Sequence, residues 1–237
     1  MYAEIQVTTN FSFLRGASHP EELVETAALL GYSAIAVTDR NSLAGIVRAH
    51  TAAKKNNIQY IPACRLDLLD GFSLLAYPAN LKSYSLLCNL LTKGNLRAEK
   101  GECFLYKQDV YDHQEDMLFV LLPPSQLNEH YNFNNDFIEA VAEYSRQFGN
   151  QLYIAAARQY QGDDAKYLHR LEDISERFKV PLIATNDVHY HIAERRQLQD
   201  VLTCIREKCT ICNAGFKLYP NAERFLKPIE EMQRLFR

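Results

Sequence analysis

The stretch IATNDVHYH, residues 183–191, places Asn186, Asp187, His189 and His191 directly after an apolar run. Asp and His are ligands for zinc or manganese, and the Asp187-x-His189 alternation sets both side chains on one side of an extended segment. A catalytic zinc needs three protein ligands and a water, so two residues are not a site. A second use competes with the first: an Asp that follows a strand often caps the next helix, and Asp39 precedes a helical pattern in just that way.

The elements that would position such residues alternate along the chain. Short apolar runs lie at 3–8, 33–38, 58–64, 72–77, 117–123, 152–157 and 181–185. Most are unbroken, which suits strands buried on both faces of a parallel sheet. Helical patterns lie between them, at about 20–30, 42–57, 82–95, 136–150, 163–180 and 193–208, bounded by stop and start signals. Ser18 and Glu21 read as a capping box with Pro20 in the first turn, and Gly31, Gly94 and Gly149 read as stops. Seven strand candidates interleaved with helices predict an α/β fold, a distorted seven-stranded (β/α) barrel of TIM-like type rather than an open doubly wound sheet. No glycine-rich phosphate fingerprint follows the first run.

Barrel sites form where strands end. The first strand ends in Gln6, Thr8 and Asn10, the second in Thr38, Asp39 and Arg40, the third in Cys64, Arg65 and Asp67, and the last in Asn186, Asp187, His189 and His191. Two carboxylates and at least one imidazole therefore share a rim. RLDLLDG (65–71) reads as a hairpin with Asp70-Gly71 at its tip. Cys209-Thr-Ile-Cys212 is a single CxxC with Cys204 nearby, read either as a zinc knuckle or as thiols at a helix end. There is no Gly-x-Ser-x-Gly elbow, and His50 and His169 fall on helices, so nucleophilic catalysis finds no support.

The chain has 237 residues, net charge −3 and 47% hydrophobic composition, enough to bury a full core. MYAEIQVTTN lacks the basic and apolar regions of a signal peptide, and no run reaches the roughly 18 apolar residues of a membrane span. Six scattered cysteines then fit reduced thiols and a cytoplasmic location. Residues 195–237 hold nine Lys+Arg against five Asp+Glu, a mildly basic tail that could face phosphates or simply water.

NFSFLRGASHPEELVETAALLGYSAIAVTDRNSLAGIVRAH (10–50), VPLIATNDVHYH (180–191), LQDVLTCIREKCTI (198–211) and NAERFLKP (221–228) together resemble the PHP (polymerase and histidinol phosphatase) domain, in the form found at the N-terminus of bacterial DNA polymerase III alpha-type subunits of the error-prone class. The resemblance implies a distorted β/α barrel and, in active members, a two- or three-metal cluster that hydrolyses phosphoesters. It also implies a His-x-His first motif, where this chain has Gln6 and Thr8, with Asn10 after them. The second motif implies Thr-Asp-His, where Asp39 is kept and Arg40 replaces the histidine, and Arg65 stands for a glutamate. LLPPSQ (121–126) occupies the place of a ligand loop. Asp39, Asp187 and His189 match.

A guanidinium cannot ligate a cation, but it can pair with Asp39 or Asp187. The reading expected is therefore a PHP barrel over 1–194 with a helical segment over 195–237 that closes it and leads toward a polymerase region. The barrel would be catalytically silent and need no cofactor, with internal charge pairs filling the metal pocket. Its partners would be the rest of the polymerase chain, DNA through that chain, and other replication or mutagenesis subunits, with no membrane. One alternative is an active phosphoesterase or 3′–5′ exonuclease holding zinc, manganese or magnesium on Asp39, Asp187, His189 and His191. Another is a free-standing nucleic-acid or protein interaction module that uses the basic tail.

Overall fold

The three N-terminal strands β1 (Ala3–Val7), β2 (Ala34–Val37) and β3 (Gln59–Pro62) form one sheet in that order, parallel throughout. All four residues of β2 are buried, which explains why its run is apolar without alternation. Helix α1 (Pro20–Leu29) buries Leu23, Val24 and Ala27, and α2 (Ile46–Asn56) buries Ala49, Ala52 and Ala53. These close on Val7, Ile35 and Val37 to make a core that also takes in Val188 and Leu226. The small alanine face of α2 lets the two helices approach closely. Each fully buried Leu or Val here contributes about 1.5–3 kcal/mol.

The computed structural model describes residues 2–236 and falls into two units. The first unit runs to Ala63 and includes Ala157–Gly162 and the chain from Thr185 onward; the second is Cys64–Ala156 with Asp163–Ala184. The 195–237 segment therefore groups with the N-terminal sheet. It contributes α7 (Arg196–Arg206) and α8 (Ile229–Leu235).

The second unit carries a five-stranded sheet, β4 (Cys64–Asp67), β5 (Ser73–Pro78), β6 (Met117–Leu122), β7 (Leu152–Ala157) and β8 (Leu182–Thr185) in that order. The mixed α/β architecture is the one expected, with two differences in detail. The 58–64 run divides at Ala63 into β3 and β4, so there are eight strands among the described residues. β4 and β6 both pair with β5 antiparallel, whereas β6–β7 is parallel. The cue lies in β4, where Cys64 and Leu66 are buried and Arg65 and Asp67 are not; that alternation marks a sheet face open on one side. The hairpin at 68–72 forms as read, with Leu68 N–H donating to Phe72 O at 2.9 Å.

The helices α3 (Leu81–Leu96), α5 (Asn135–Phe148) and α6 (Asp164–Phe178) lie where periodicity put them, and α4 (Lys107–Asp112) interrupts the long 96–116 connection. The cap of α1 is one residue later than expected. His19 is the N-cap, and its N–H donates to Glu22 at 2.8 Å. Ser18 is used elsewhere, on His191. Among the described residues no helix is long and apolar enough to cross a membrane.

Candidate functional site

The segment after β8 runs alongside β1. Val188 N–H donates to Gln6 O at 2.9 Å and Thr8 N–H donates to Val188 O at 2.8 Å. This parallel bridge brings Asp187 to Gln6 and places Val188 in the core. Asp187 itself is left-handed, with φ 46. Asp tolerates that conformation better than most residues, at a cost of about 1–2 kcal/mol.

Both oxygens of Asp187 are occupied by protein donors. Gln6 Nε2 donates to Oδ1 at 2.9 Å, and the Arg224 guanidinium donates to Oδ2. His189 Nε2 stands 3.4 Å from Oδ1. Its Nδ1 faces Arg15 O at 3.0 Å, so that nitrogen is the donor and Nε2 is turned to the carboxylate. Arg224 is fixed from three further directions. Its second amino group donates to Gln159 Oε1 at 3.1 Å, its guanidinium lies 4.1 Å from the Tyr219 ring centroid, and its carbonyl accepts His189 N–H at 2.9 Å. A desolvated, stacked, multiply bonded guanidinium is a structural cation.

Asp39 is buried at 1% exposure. Thr9 N–H donates to Oδ1 at 2.9 Å, Thr9 Oγ1 to Oδ2 at 2.7 Å, and Ser12 Oγ to Oδ1 at 2.6 Å. Burial pushes the carboxyl above its ordinary range, against these bonds. Asp39 does not act as the helix cap that the sequence admitted: the N-cap of α2 is Gly45, without a side-chain cap. Gly45 is required for another reason. A Cβ there would lie 2.9 Å from Asp39 Oδ2. Gly16 serves the same loop, since a Cβ there would meet Thr9 O at 2.4 Å.

The remaining rim residues divide by location. Gln6 and Thr8 lie on or beside β1 in the first unit, both buried. Asn10 N–H donates to Ser18 O at 2.9 Å, and Asn10 lines a cleft of about 210 Å³ with Phe13, Leu14, Leu198 and Leu202. His191 meets Ser18 Oγ through Nδ1 at 2.8 Å. Arg40 N–H donates to Ser12 Oγ at 3.0 Å. Arg65 belongs to the second unit, where it pairs with Asp67 at 2.7 Å and with Ser73 at 3.0 Å. Of the two acids expected to receive Arg40 or Arg65, Asp39 and Asp187, the second takes its guanidinium from Arg224.

Two further buried ionisable residues, Glu4 and Lys227, belong to the same unit. Glu4 is fully buried and accepts Tyr2 O–H at 2.7 Å and Gln6 N–H at 3.0 Å. Lys227, 1% exposed, donates to Asn186 Oδ1 at 2.7 Å and approaches Glu223 at 3.5 Å. Burial pushes the Glu4 carboxyl up and the Lys227 ammonium down. Sequence reasoning assigned no role to Glu4, Arg224 or Lys227. The one available signal was NAERFLKP itself, where Arg224 and Lys227 flank the apolar pair Phe225-Leu226.

As a metal centre this arrangement fits poorly. Among the described residues no group of three or more His, Cys, Asp and Glu is placed to hold an ion. Asp187 and His189 are two ligands, and a guanidinium occupies the carboxylate that would bind the cation.

Residues 4–178 match the PHP domain family. Over its whole length the chain is 50% identical to an error-prone DNA polymerase of Caulobacter vibrioides. It is 45% identical, over 99% of the chain, to error-prone DNA polymerase 2 of Agrobacterium fabrum. The chain spans 21% of the length of each. An amidohydrolase from Chromobacterium violaceum shares the fold at TM-score 0.59 and 14% identity, over 80% of this chain and 88% of that one.

Proposed function

Because the chain belongs to the PHP domain family, we propose that it serves as the PHP module of an error-prone DNA polymerase, and that its rim holds the fold together instead of hydrolysing phosphoesters. The observation that carries this reading is the Arg224–Asp187 ion pair. A di-metal phosphoesterase needs carboxylates and imidazoles free to bridge metals and generate hydroxide. Here one acid accepts an arginine and a glutamine, the other accepts Thr9 and Ser12, and the histidine positions of the first motif are Gln6 and Thr8. Removing metals from such a pocket would leave buried carboxylates uncompensated, at several kcal/mol each. Arg224 and the hydroxyls supply the compensation.

In this reading the polymerase chemistry lies in the four-fifths of the relatives' length outside this chain, and DNA is met through that part. Residues 195–237 act as the closing segment of the module, since Arg224 and Lys227 deliver the cations that its sheet edge lacks.

The test is metal analysis of the purified protein, with phosphodiesterase and 3′–5′ exonuclease assays in added manganese or zinc. The expected result is substoichiometric metal and no turnover above background. Stoichiometric metal, with turnover abolished by Asp187→Asn, would overturn the proposal in favour of an active phosphoesterase.

A further inference from the structure

Helix α7 ends in a Schellman motif. Lys208 is left-handed at φ 51, Lys208 N–H donates to Ile205 O at 3.3 Å, and Cys209 N–H donates to Cys204 O at 2.9 Å. This geometry turns two side chains toward each other, one from the third residue before the helix end and one from the second residue beyond it. That pair is usually hydrophobic. Here it is Cys204 and Cys209, joined by the backbone bond from Cys209 N–H to Cys204 O at 2.9 Å. Both are free, Cys204 buried and Cys209 half-buried.

We propose that Cys204 and Cys209 form an oxidation site, converted to a disulfide by a hydroperoxide. Cys209 reacts first because solvent reaches it. Its thiolate attacks a peroxide oxygen, the S–O bond forms as the O–O bond breaks, and the departing hydroxide takes up the thiol proton as water. The Cys204 sulfur then attacks the Cys209 sulfenic acid. The S–S bond forms, the S–O bond breaks, and the leaving hydroxide takes the Cys204 proton as a second water. Two thiols are oxidised and one hydrogen peroxide is reduced to two waters. Burial and the neighbouring thiol push Cys204 above the ordinary thiol range; a protonated, buried thiol suits the resolving position better than the first attack.

The consequence falls on a surface. Leu198, Val201 and Ile205 expose apolar side chains along α7, and Ile211 and Phe216 continue them beyond the helix. A disulfide at the end of α7 would pin the segment carrying Ile211 and Phe216 to that helix.

The test uses the 237-residue protein and hydrogen peroxide, followed by alkylation with N-ethylmaleimide, trypsin digestion and mass spectrometry. Trypsin cuts after Arg206 and Lys208, which separates Cys204 in 197–206 from Cys209 and Cys212 in 209–217. The expected product is a linked peptide pair lighter by two hydrogens, reversed by dithiothreitol. It persists in Cys212→Ser and disappears in Cys209→Ser. Tandem fragmentation of the wild-type pair assigns the linked sulfur without any variant. Absence of the pair, a linkage to Cys212, or sulfinic acid at Cys209 without linkage would each overturn the proposal.

Discussion

Arg224 and Gln6 hold Asp187 from opposite sides, the guanidinium on Oδ2 and the amide on Oδ1 at 2.9 Å. The carboxylate that resembles a metal ligand in the sequence thus has both oxygens turned to protein donors.

Arg224→Met leaves Asp187 mostly buried without its cation. The expected loss is about 2–4 kcal/mol of unfolding free energy, because removing one partner of a buried pair strands the other. Asp187→Asn in the same chain recovers most of it. Urea denaturation of the two single variants and the double variant measures the coupling; additive losses would show that the pair contributes little.

Rebuilding the family's ligands tests the same idea from the other side. The triple variant Gln6→His, Thr8→His, Arg224→Met adds two imidazoles and frees Asp187. Zinc affinity is expected to rise by about 100-fold or more over the wild type, since a site with three or more protein ligands replaces one with two. Calorimetric titration with zinc provides the comparison.

Lys227→Met removes a buried cation that donates to Asn186 Oδ1 and approaches Glu223. Asn186 Oδ1 is then left buried without its donor, and the electrostatic support that Lys227 gives Glu4 is lost, so the expected cost is about 1–3 kcal/mol. Glu4→Gln combined with Lys227→Met removes both charges and restores part of the loss. Thermal unfolding of the singles and the double separates this outcome from simple loss of packing.

His191 sets a pH dependence. Burial holds its imidazole below the ordinary histidine range, against the attraction of Glu22. The unfolded chain therefore binds this proton more readily than the folded one. The stability contribution is complete above the unfolded value, about 6.5, and is lost as pH falls through the lower folded value. Unfolding free energy is expected to decline from pH 7 toward pH 5, with a shallower decline in His191→Gln. Equal slopes would remove His191 as the cause.

Local features were legible in the sequence, because short-range chemistry writes them. The strand runs, the helix periods and the Asp70-Gly71 hairpin needed only neighbouring residues. The cap of α1 was misplaced by one because Ser18 and His19 both precede Pro20, and only the fold shows that Ser18 is taken by His191. The antiparallel β4 was hard to see because its alternation extends over only four residues. The buried pairs were not legible at all. Asp187 and Arg224 are 37 residues apart, Gln6 and Asp187 are 181 apart, and nothing local distinguishes a buried arginine from a solvated one. Asp39 was legible as a residue but not in its use, since Thr9 and Ser12 are 30 and 27 residues away.

Tyr32 O–H donates to Lys227 O across 195 residues at 2.6 Å, so this contact of the first unit needs both ends of the chain. The parallel strands β1 to β3 and their helices come early in the chain, yet Asp187 takes its guanidinium from residue 224. Distant closures of this kind slow folding, because chain entropy is lost before the contacts reward it. Much of the second unit, Cys64–Ala156, is by contrast one continuous stretch. The edge of the N-terminal sheet is thus completed by a lysine and an arginine encoded some two hundred residues after its first strand.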